Sequence, residues 1–86
     1  WQWDGATWTK VGGDGINSSW VALTFQSVLS LATDGTDLYA GLGVTAGDGE
    51  VWRYTISSGI WTKIGGDGVN SSWAVNTFEG VYSLFF

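Results

Sequence analysis

The stretch WTKVGGDGINSSW, from Trp8 to Trp20, recurs as WTKIGGDGVNSSW, from Trp61 to Trp73. The two copies differ only by exchanges between Val and Ile, and they are offset by 53 residues. A repeat period near 50 residues is typical of solenoids and propellers, whose units cover their apolar faces by packing on neighbouring units. The duplication therefore predicts a stacked array of similar units.

The similarity extends beyond this stretch in both directions. Upstream, Trp1-Gln2-Trp3 matches Trp52-Arg53-Tyr54 at an offset of 51 residues. Downstream, the matching pairs are Thr24-Phe25 with Thr77-Phe78, Val28 with Val81, and Ser30-Leu31 with Ser83-Leu84. The change of offset indicates that two residues were gained or lost in one turn, so that the repeat covers nearly the whole chain.

Within one period the pattern is that of β-strands. Short runs rich in aromatic and β-branched residues predict four strands, which are Ser27–Thr33, Asp37–Gly43, Glu50–Ile56 and Ile60–Ile64. Residues 34–36, 43–49 and 57–59 between them have turn chemistry, and residues 65–80 predict a long loop. No stretch sustains helical periodicity. The sequence therefore predicts an all-β fold with four antiparallel strands in each repeat.

The remaining strands predict incomplete units at both ends. Counting strands within a unit from first to fourth, Trp1–Asp4 reads as a third strand, Thr7–Val11 as a fourth and Val81–Phe86 as a lone first strand. The predicted organisation is a partial unit over residues 1–26, a complete unit over 27–64, and a long loop with the next first strand over 65–86. Without any Met, the chain is expected to be a processed product or a piece of something longer.

Composition excludes several classes of function. The 86 residues include no Cys and no His, which removes disulfides, thiol or imidazole catalysis and Cys/His zinc sites. Three basic against eight acidic residues give a net charge of −5, which disfavours nucleic acid and anionic membrane surfaces as partners. We therefore expect no enzyme, no cofactor and no bound metal.

Four antiparallel strands repeated every 40 to 55 residues form the blade of a β-propeller. The segment Leu38–Gly43, followed by Val51–Tyr54 and then Trp61, resembles the kelch layout, although kelch repeats have a double glycine where this chain has Gly41-Leu42-Gly43. The run Trp61–Gly65, the Gly-rich loop containing Trp73, and the closing residues 83–86 also resemble blades of tachylectin-type propeller lectins. In this chain the loop is longer, by an insertion over residues 67–72.

The lectin resemblance implies a function and a site. Tachylectin-type lectins bind N-acetylated hexosamines between adjacent blades, which implies one shallow site per repeat, multivalent binding and an extracellular protein. An indole can stack on the apolar face of a pyranose while nearby polar groups bind its hydroxyls. The candidate sugar-binding residues are the equivalent polar and aromatic positions of the two loops: Asp14, Asn17, Trp20, Asp67, Asn70 and Trp73.

Other interpretations of the same residues stay open. In the kelch-like alternative the chain is a structural or protein-binding propeller fragment without a small ligand. Each loop would then be held in place by its own Trp, with Asp and Asn forming turns around the glycines. The Asp-Gly segments also suggest calcium, but they supply too few carboxylates. A glycosidase would need two acids facing one cleft, for which Asp14 and Asp48 are the available pair.

Less than two blades cannot close a propeller, so several copies are expected to complete one as a homo-oligomer. Large rings at strand positions contribute chiefly as buried area, so we expect them to pack between units. The residues predicted to pack in this way are Trp8, Leu38, Tyr39, Trp52, Tyr54 and Trp61. The residues predicted to line the inner core are Val28, Leu29, Leu31, Val81 and Leu84.

Overall fold

The computed structural model of the protein describes residues 1–23, 27–43 and 49–86. The described chain is all-β, as predicted, and its only helical pieces are two 3₁₀ turns, Ile16–Ser18 and Val69–Ser71. The strands in chain order are β1 (Gln2–Trp3), β2 (Trp8–Thr9), β3 (Ser27–Thr33), β4 (Leu38–Gly43), β5 (Glu50–Thr55) and β6 (Ile60–Gly65).

These strands form two antiparallel sheets. β1 pairs with β2 in a two-stranded sheet, and β3 to β6 form a four-stranded sheet in sequence order. The four strands predicted for the complete repeat are confirmed, with at most one end of each moved by one residue. Residues 44–48 of the predicted turn over 43–49, and with them Asp48 of the calcium and glycosidase alternatives, lie outside the described residues.

Aspartate side chains build two of the tight turns. The Asp34 Oδ1 atom accepts hydrogen bonds from the backbone N–H groups two and three residues further on, at 2.9 and 2.8 Å. Gly35 supplies the positive φ, 92°, that the turn requires. Asp4 and Gly5 repeat this arrangement between β1 and β2. Because these N–H groups stabilise the charged form, they lower the pKa of both Asp34 and Asp4.

The four-stranded sheet has two different faces, because successive side chains of a strand point to opposite sides. The register places Ala40 opposite Trp52 and Tyr54 opposite Trp61. We call this side, with its aromatic side chains, the Trp face. Along β4, the residues that alternate with Ala40 are Tyr39, Gly41 and Gly43. They face the other side of the sheet, which we call the Gly face.

The Trp face is covered by residues 11–20, which belong to the preceding repeat. Trp61 is only 5% exposed, and its Nε1 donates a hydrogen bond to the Val11 carbonyl oxygen at 2.8 Å. The Trp20 ring packs edge-on against Trp61 and Trp52, with centroids 5.3 and 5.8 Å away. The core of the protein therefore lies between two successive repeats and is centred on Ala40, Leu42 and Trp61.

The Gly face is covered by the C-terminal residues. Gly43 forms an isolated antiparallel bridge with Gly80, and the Ser30 hydroxyl donates to the Val81 carbonyl oxygen at 3.1 Å. A Cβ atom on Gly43 would lie 2.5 Å from backbone atoms of residues 79 and 80, so only glycine permits this approach. Further along, the Phe86 ring lies 4.7 Å from the ring of Tyr39. Parts of two neighbouring repeats therefore enclose the complete one.

The structure corrects the strands predicted at both ends. β1 and β2 comprise two residues each, whereas Trp1–Asp4 and Thr7–Val11 were the predicted ranges. The prediction of a strand over Val81–Phe86 is wrong, because these residues form no strand and the isolated bridge from Gly80 to Gly43 lies just before them. In both places the described chain provides too few neighbouring strands to extend the hydrogen-bonded ladder.

The predicted inner core also needs correction. Leu31 is 59% exposed and Val28 is 42% exposed, while Leu29, Val81 and Leu84 are only partly buried. β3 is an edge strand in the described sheet, and residues 11–20 pack over the aromatic residues of β5 and β6 instead. The packing of Leu38, Trp52, Tyr54 and Trp61 is confirmed, and Tyr39 is also partly buried. Trp8 is 59% exposed, so its predicted burial is wrong within the single chain.

The contrast between Trp61 and Trp8 gives a stability prediction. Trp61→Ala removes a buried ring and its hydrogen bond, and we expect it to lower the free energy of unfolding by about 3–5 kcal/mol. Trp8→Ala, at the equivalent but exposed position, should cost about 1 kcal/mol or less in the dilute single chain. Chemical denaturation of both variants measures the difference. Equal losses would contradict the assignment of the core to the junction between repeats.

Candidate functional site

The two copies of the repeated stretch fold into the same loop. In each, the Asp backbone has a φ of 55° and the Asn lies at 56° or 54°, for Asp14 and Asn17 in the first loop and Asp67 and Asn70 in the second. Such positive φ values are uncommon outside glycine, and Asn and Asp tolerate them better than most residues. The local backbone therefore explains part of the sequence identity between the loops.

Side chains within each loop hold it closed. Asn17 Nδ2 donates to the Val11 carbonyl oxygen at 3.1 Å, and Asn70 Nδ2 donates to that of Ile64 at 3.0 Å. The hydroxyl oxygen of Ser19, which is buried, accepts the Gly13 N–H at 2.8 Å, and Ser72 does the same in the second loop. These polar groups satisfy backbone partners of the loop, which is a structural use of residues that resemble a binding motif.

A lysine contacts the aspartate in each loop. Lys63 Nζ lies 2.7 Å from Asp67 Oδ2, and Lys10 pairs with Asp14 in the same way. The Asp14 side chain keeps 55% of its surface exposed and the Asp67 side chain keeps 30%. Each loop therefore presents a solvent-accessible pair of opposite charges, flanked by an exposed Asn.

The two loop indoles face inward. Trp20 is partly buried against Trp52 and Trp61. Trp73 is also partly buried, donates its Nε1 hydrogen to the Gly49 carbonyl oxygen at 2.9 Å, and meets Phe78 edge-on at 6.0 Å. The structure thus brings Asp and Asn of each loop to the same surface, while the Trp of that loop anchors it to the protein.

A charged cluster at the second loop was missed from the sequence. Glu50 is 6% exposed, accepts the Trp52 Nε1 hydrogen at 2.8 Å, and lies 3.0 Å from Lys63 Nζ. Lys63 thereby joins Glu50 to Asp67. The pairing of β5 with β6 brings these residues together, because it places Lys63 opposite Trp52, two residues from Glu50. Predicting it would have required the register of that pair.

Burial shapes the electrostatics of this cluster. Removal from water raises the pKa of the Glu50 carboxyl, and sharing hydrogen bonds with Asp67 raises it further. The same sharing, together with Lys63, lowers the pKa of Asp67. Both acids also raise the pKa of Lys63 against the opposing effect of its partial burial. Of the two acids, Glu50 therefore gains a proton first as the pH falls.

A cleft opens at the end of the four-stranded sheet where β3 turns into β4, beside Val11 at the start of the first loop and away from the second loop. Its volume is about 380 Å³, and it lies between the N-terminal repeat and the complete repeat. The residues lining it are Trp1, Gln2, Val11, Thr33, Leu38, Tyr54 and Ile56. None of the six candidate residues predicted from the sequence lines this cleft. Its lining depends on residues from two repeats that are far apart in the chain, which no local motif shows.

Within residues 1–23, 27–43 and 49–86 no group of three acidic side chains is placed to hold a metal ion. No helix in that part of the chain has the length and apolar character needed to cross a bilayer. Comparisons of the chain with protein-family models, with curated proteins and with solved structures find no significant match.

The raised pKa of Glu50 predicts a specific pH dependence. Because the folded state holds this proton more tightly than the unfolded chain, the associated stability is fully present below the usual value of 4.5. It is lost as the pH rises through the raised folded value. Glu50→Gln retains an acceptor for Trp52 and should abolish this fall. Denaturation measured from pH 4.5 to about 7 tests it, with exposed Glu79→Gln as the control. An unchanged pH slope in Glu50→Gln would contradict the assignment.

Proposed function

We propose that this chain belongs to a multivalent carbohydrate-binding β-propeller and that its ligands are N-acetylated hexosamines. The observation that carries the proposal is the cleft between the two repeats. Sugar sites combine an aromatic wall with a few convergent polar groups, and a cleft at the junction of units offers both from separate elements. The chain acts in this proposal as a binding protein, without a catalytic role.

The lining of the cleft has the required chemistry. Trp1 and Tyr54 supply aromatic surface on which the C–H face of a pyranose can pack. Gln2 carries an amide that can both donate and accept hydrogen bonds, and Thr33 carries a hydroxyl. Leu38 and Ile56 provide apolar surface suited to the methyl group of an acetamide. No Asp, Glu, Lys or Arg side chain belongs to the lining, which suits a neutral sugar.

The position of the cleft explains the proposed multivalency. Because it lies where one repeat meets the next, each further junction in an array of such repeats would form another cleft. A shallow cleft of this size fits one or two sugar rings and a weak individual affinity. Several such sites on one assembly would raise the avidity for a glycan surface without strengthening any single site.

The loops remain a second proposed location on the same protein. Asp14 and Asp67, with Asn17 and Asn70, present polar groups that could bind sugar hydroxyls. However, both Trp20 and Trp73 pack into the protein, and each Asn amide already binds a backbone carbonyl. The geometry therefore favours the cleft, which has aromatic surface available to a ligand.

A structural or protein-binding array is the second candidate function. It is supported by exposed aromatic rings that do not line the cleft, among them Trp3, Trp8 and Phe85. Exposed apolar surface of this kind marks interaction surfaces in soluble proteins. Sugar binding separates the two candidates, because the second requires no small ligand.

Titration with N-acetylglucosamine and N-acetylgalactosamine tests the proposal. Chemical shifts of the cleft residues should move on addition of millimolar sugar, and Trp1→Ala should weaken binding at least tenfold, by about 1.4 kcal/mol. The matched control is Phe85→Ala, which removes an aromatic ring that is 92% exposed and should leave binding unchanged.

The double variant Asp14→Asn with Asp67→Asn tests the loops. We expect it to bind sugar as the unaltered chain does. If it loses binding while Trp1→Ala retains it, the site is in the loops and the cleft assignment is wrong. If neither sugar binds at any concentration, the carbohydrate proposal fails and the structural array remains.

A further inference from the structure

The N-terminal repeat carries an exposed ring pair whose equivalent in the complete repeat packs in the core, with one ring buried and the other partly buried. Trp3 and Trp8 lie 5.4 Å apart at 40°, and Tyr54 and Trp61 lie 5.1 Å apart at 34°. These are equivalent positions of the repeat, and the local geometry is nearly the same. Yet Trp3 is 51% exposed and Trp8 is 59% exposed, whereas Trp61 is 5% exposed. The difference lies in what covers the rings.

Within the chain, the first loop covers the buried pair. Val11 contributes its carbonyl oxygen, which accepts the Trp61 Nε1 hydrogen at 2.8 Å. Gly12 lies so close to the indole that a Cβ atom there would be 2.8 Å from Trp61 Nε1. Trp20 completes the contact with its ring edge. The contact therefore requires a carbonyl acceptor followed by a residue without a side chain.

The second loop has the sequence and the backbone hydrogen bonds of the first, and its Gly65 is buried against residues of its own chain such as Trp73. Ile64 and Gly65 are the equivalents of Val11 and Gly12, and the loop after them repeats the first one bond for bond. The Ile64 carbonyl oxygen accepts the Asn70 amide, as the Val11 oxygen accepts that of Asn17. Within the described residues no indole N–H donates to the Ile64 carbonyl oxygen. The second loop therefore has no ring in the position that Trp61 occupies on the first loop.

We propose that the exposed Trp3–Trp8 pair binds the second loop, residues 64–73, of another copy of this chain, repeating between molecules the contact that residues 11–20 make within one. In this complex the Trp8 Nε1 donates to the Ile64 carbonyl oxygen of the neighbouring copy, and Gly65 of that copy lies against the indole. The occupant is a second copy because the loop that fits this pair is present in the same chain.

This contact joins two different surfaces of the same protein, head to tail. In the described part of each copy the Trp3–Trp8 pair is exposed and Ile64 has no indole donor, so association through this contact can continue until a ring closes or a filament grows. The inference rests on the multi-copy assembly within the proposed function. It does not depend on sugar binding. A failed sugar titration would not contradict the contact between copies, and a failure to associate would not contradict sugar binding in the cleft.

Gly65→Ala is the decisive variant, because its effect should differ within and between molecules. Within the chain, a Cβ atom on Gly65 would lie 3.4 Å from Trp73 and 3.6 Å from Val51, which is ordinary contact. Between molecules it would meet the Trp8 indole as closely as a Cβ on Gly12 meets Trp61. Gly65→Ala should therefore keep the fold and its unfolding transition while weakening self-association.

Sedimentation velocity over two decades of micromolar protein concentration measures the association. The unaltered chain should form concentration-dependent oligomers, and Gly65→Ala and Trp8→Ala should each weaken association by at least about tenfold. Leu23→Ala, which alters a side chain that is fully exposed, is the control and should associate normally.

Mixing the two variants provides a second test. Trp8→Ala retains an intact loop and Gly65→Ala retains an intact ring pair, so the mixture should form a heterodimer through the one matched contact. Neither variant alone has such a contact. A monomeric unaltered chain, an undiminished association of Gly65→Ala, or the absence of a heterodimer in the mixture would each overturn the proposal.

Discussion

The hydrogen bond from the Trp61 indole to the Val11 carbonyl oxygen, with the packing around it, joins the two repeats of this protein. The strands β3 to β6 satisfy one another's backbone groups, but their Trp face is apolar and needs a cover. Residues 11–20 provide it, and Gly12 allows the close approach. The core of the molecule therefore belongs to neither repeat alone, as expected for units that gain stability from their interfaces.

The sequence predicted the elements of the complete repeat well, because its strands have local β chemistry and their turns have Asp and Gly where needed. Burial was harder to predict. Trp8 and Trp61 have nearly identical sequence surroundings and opposite exposure, because burial depends on whether a neighbouring segment is present. Val28 and Leu31 were misplaced for the same reason, since β3 is an edge strand whose outer residues lack a cover in the described chain.

The candidate sites likewise include some residues that local sequence marks and others that it does not. Local sequence marked the Asp and Asn of the two loops as candidate sugar-binding residues, and in the structure much of their chemistry serves the loop itself, through backbone strain and internal hydrogen bonds. The cleft at Trp1 and Tyr54, and the buried Glu50 beside Lys63, arise only when distant residues come together. In a repeat protein such features lie at the junctions between units. The sequence of a single segment does not show which distant residues meet there.

Hydrogen exchange of the indole N–H groups is the sharpest test that residues 11–20 cover the sheet, because each Trp gives a separate signal in a nitrogen-edited spectrum. In the dilute single chain we expect slow exchange for Trp61, which is bonded to Val11, and exchange at the solvent rate for its exposed equivalent Trp8. Equal and rapid exchange at both positions would show that residues 11–20 do not cover the sheet and that this contact does not join the two repeats.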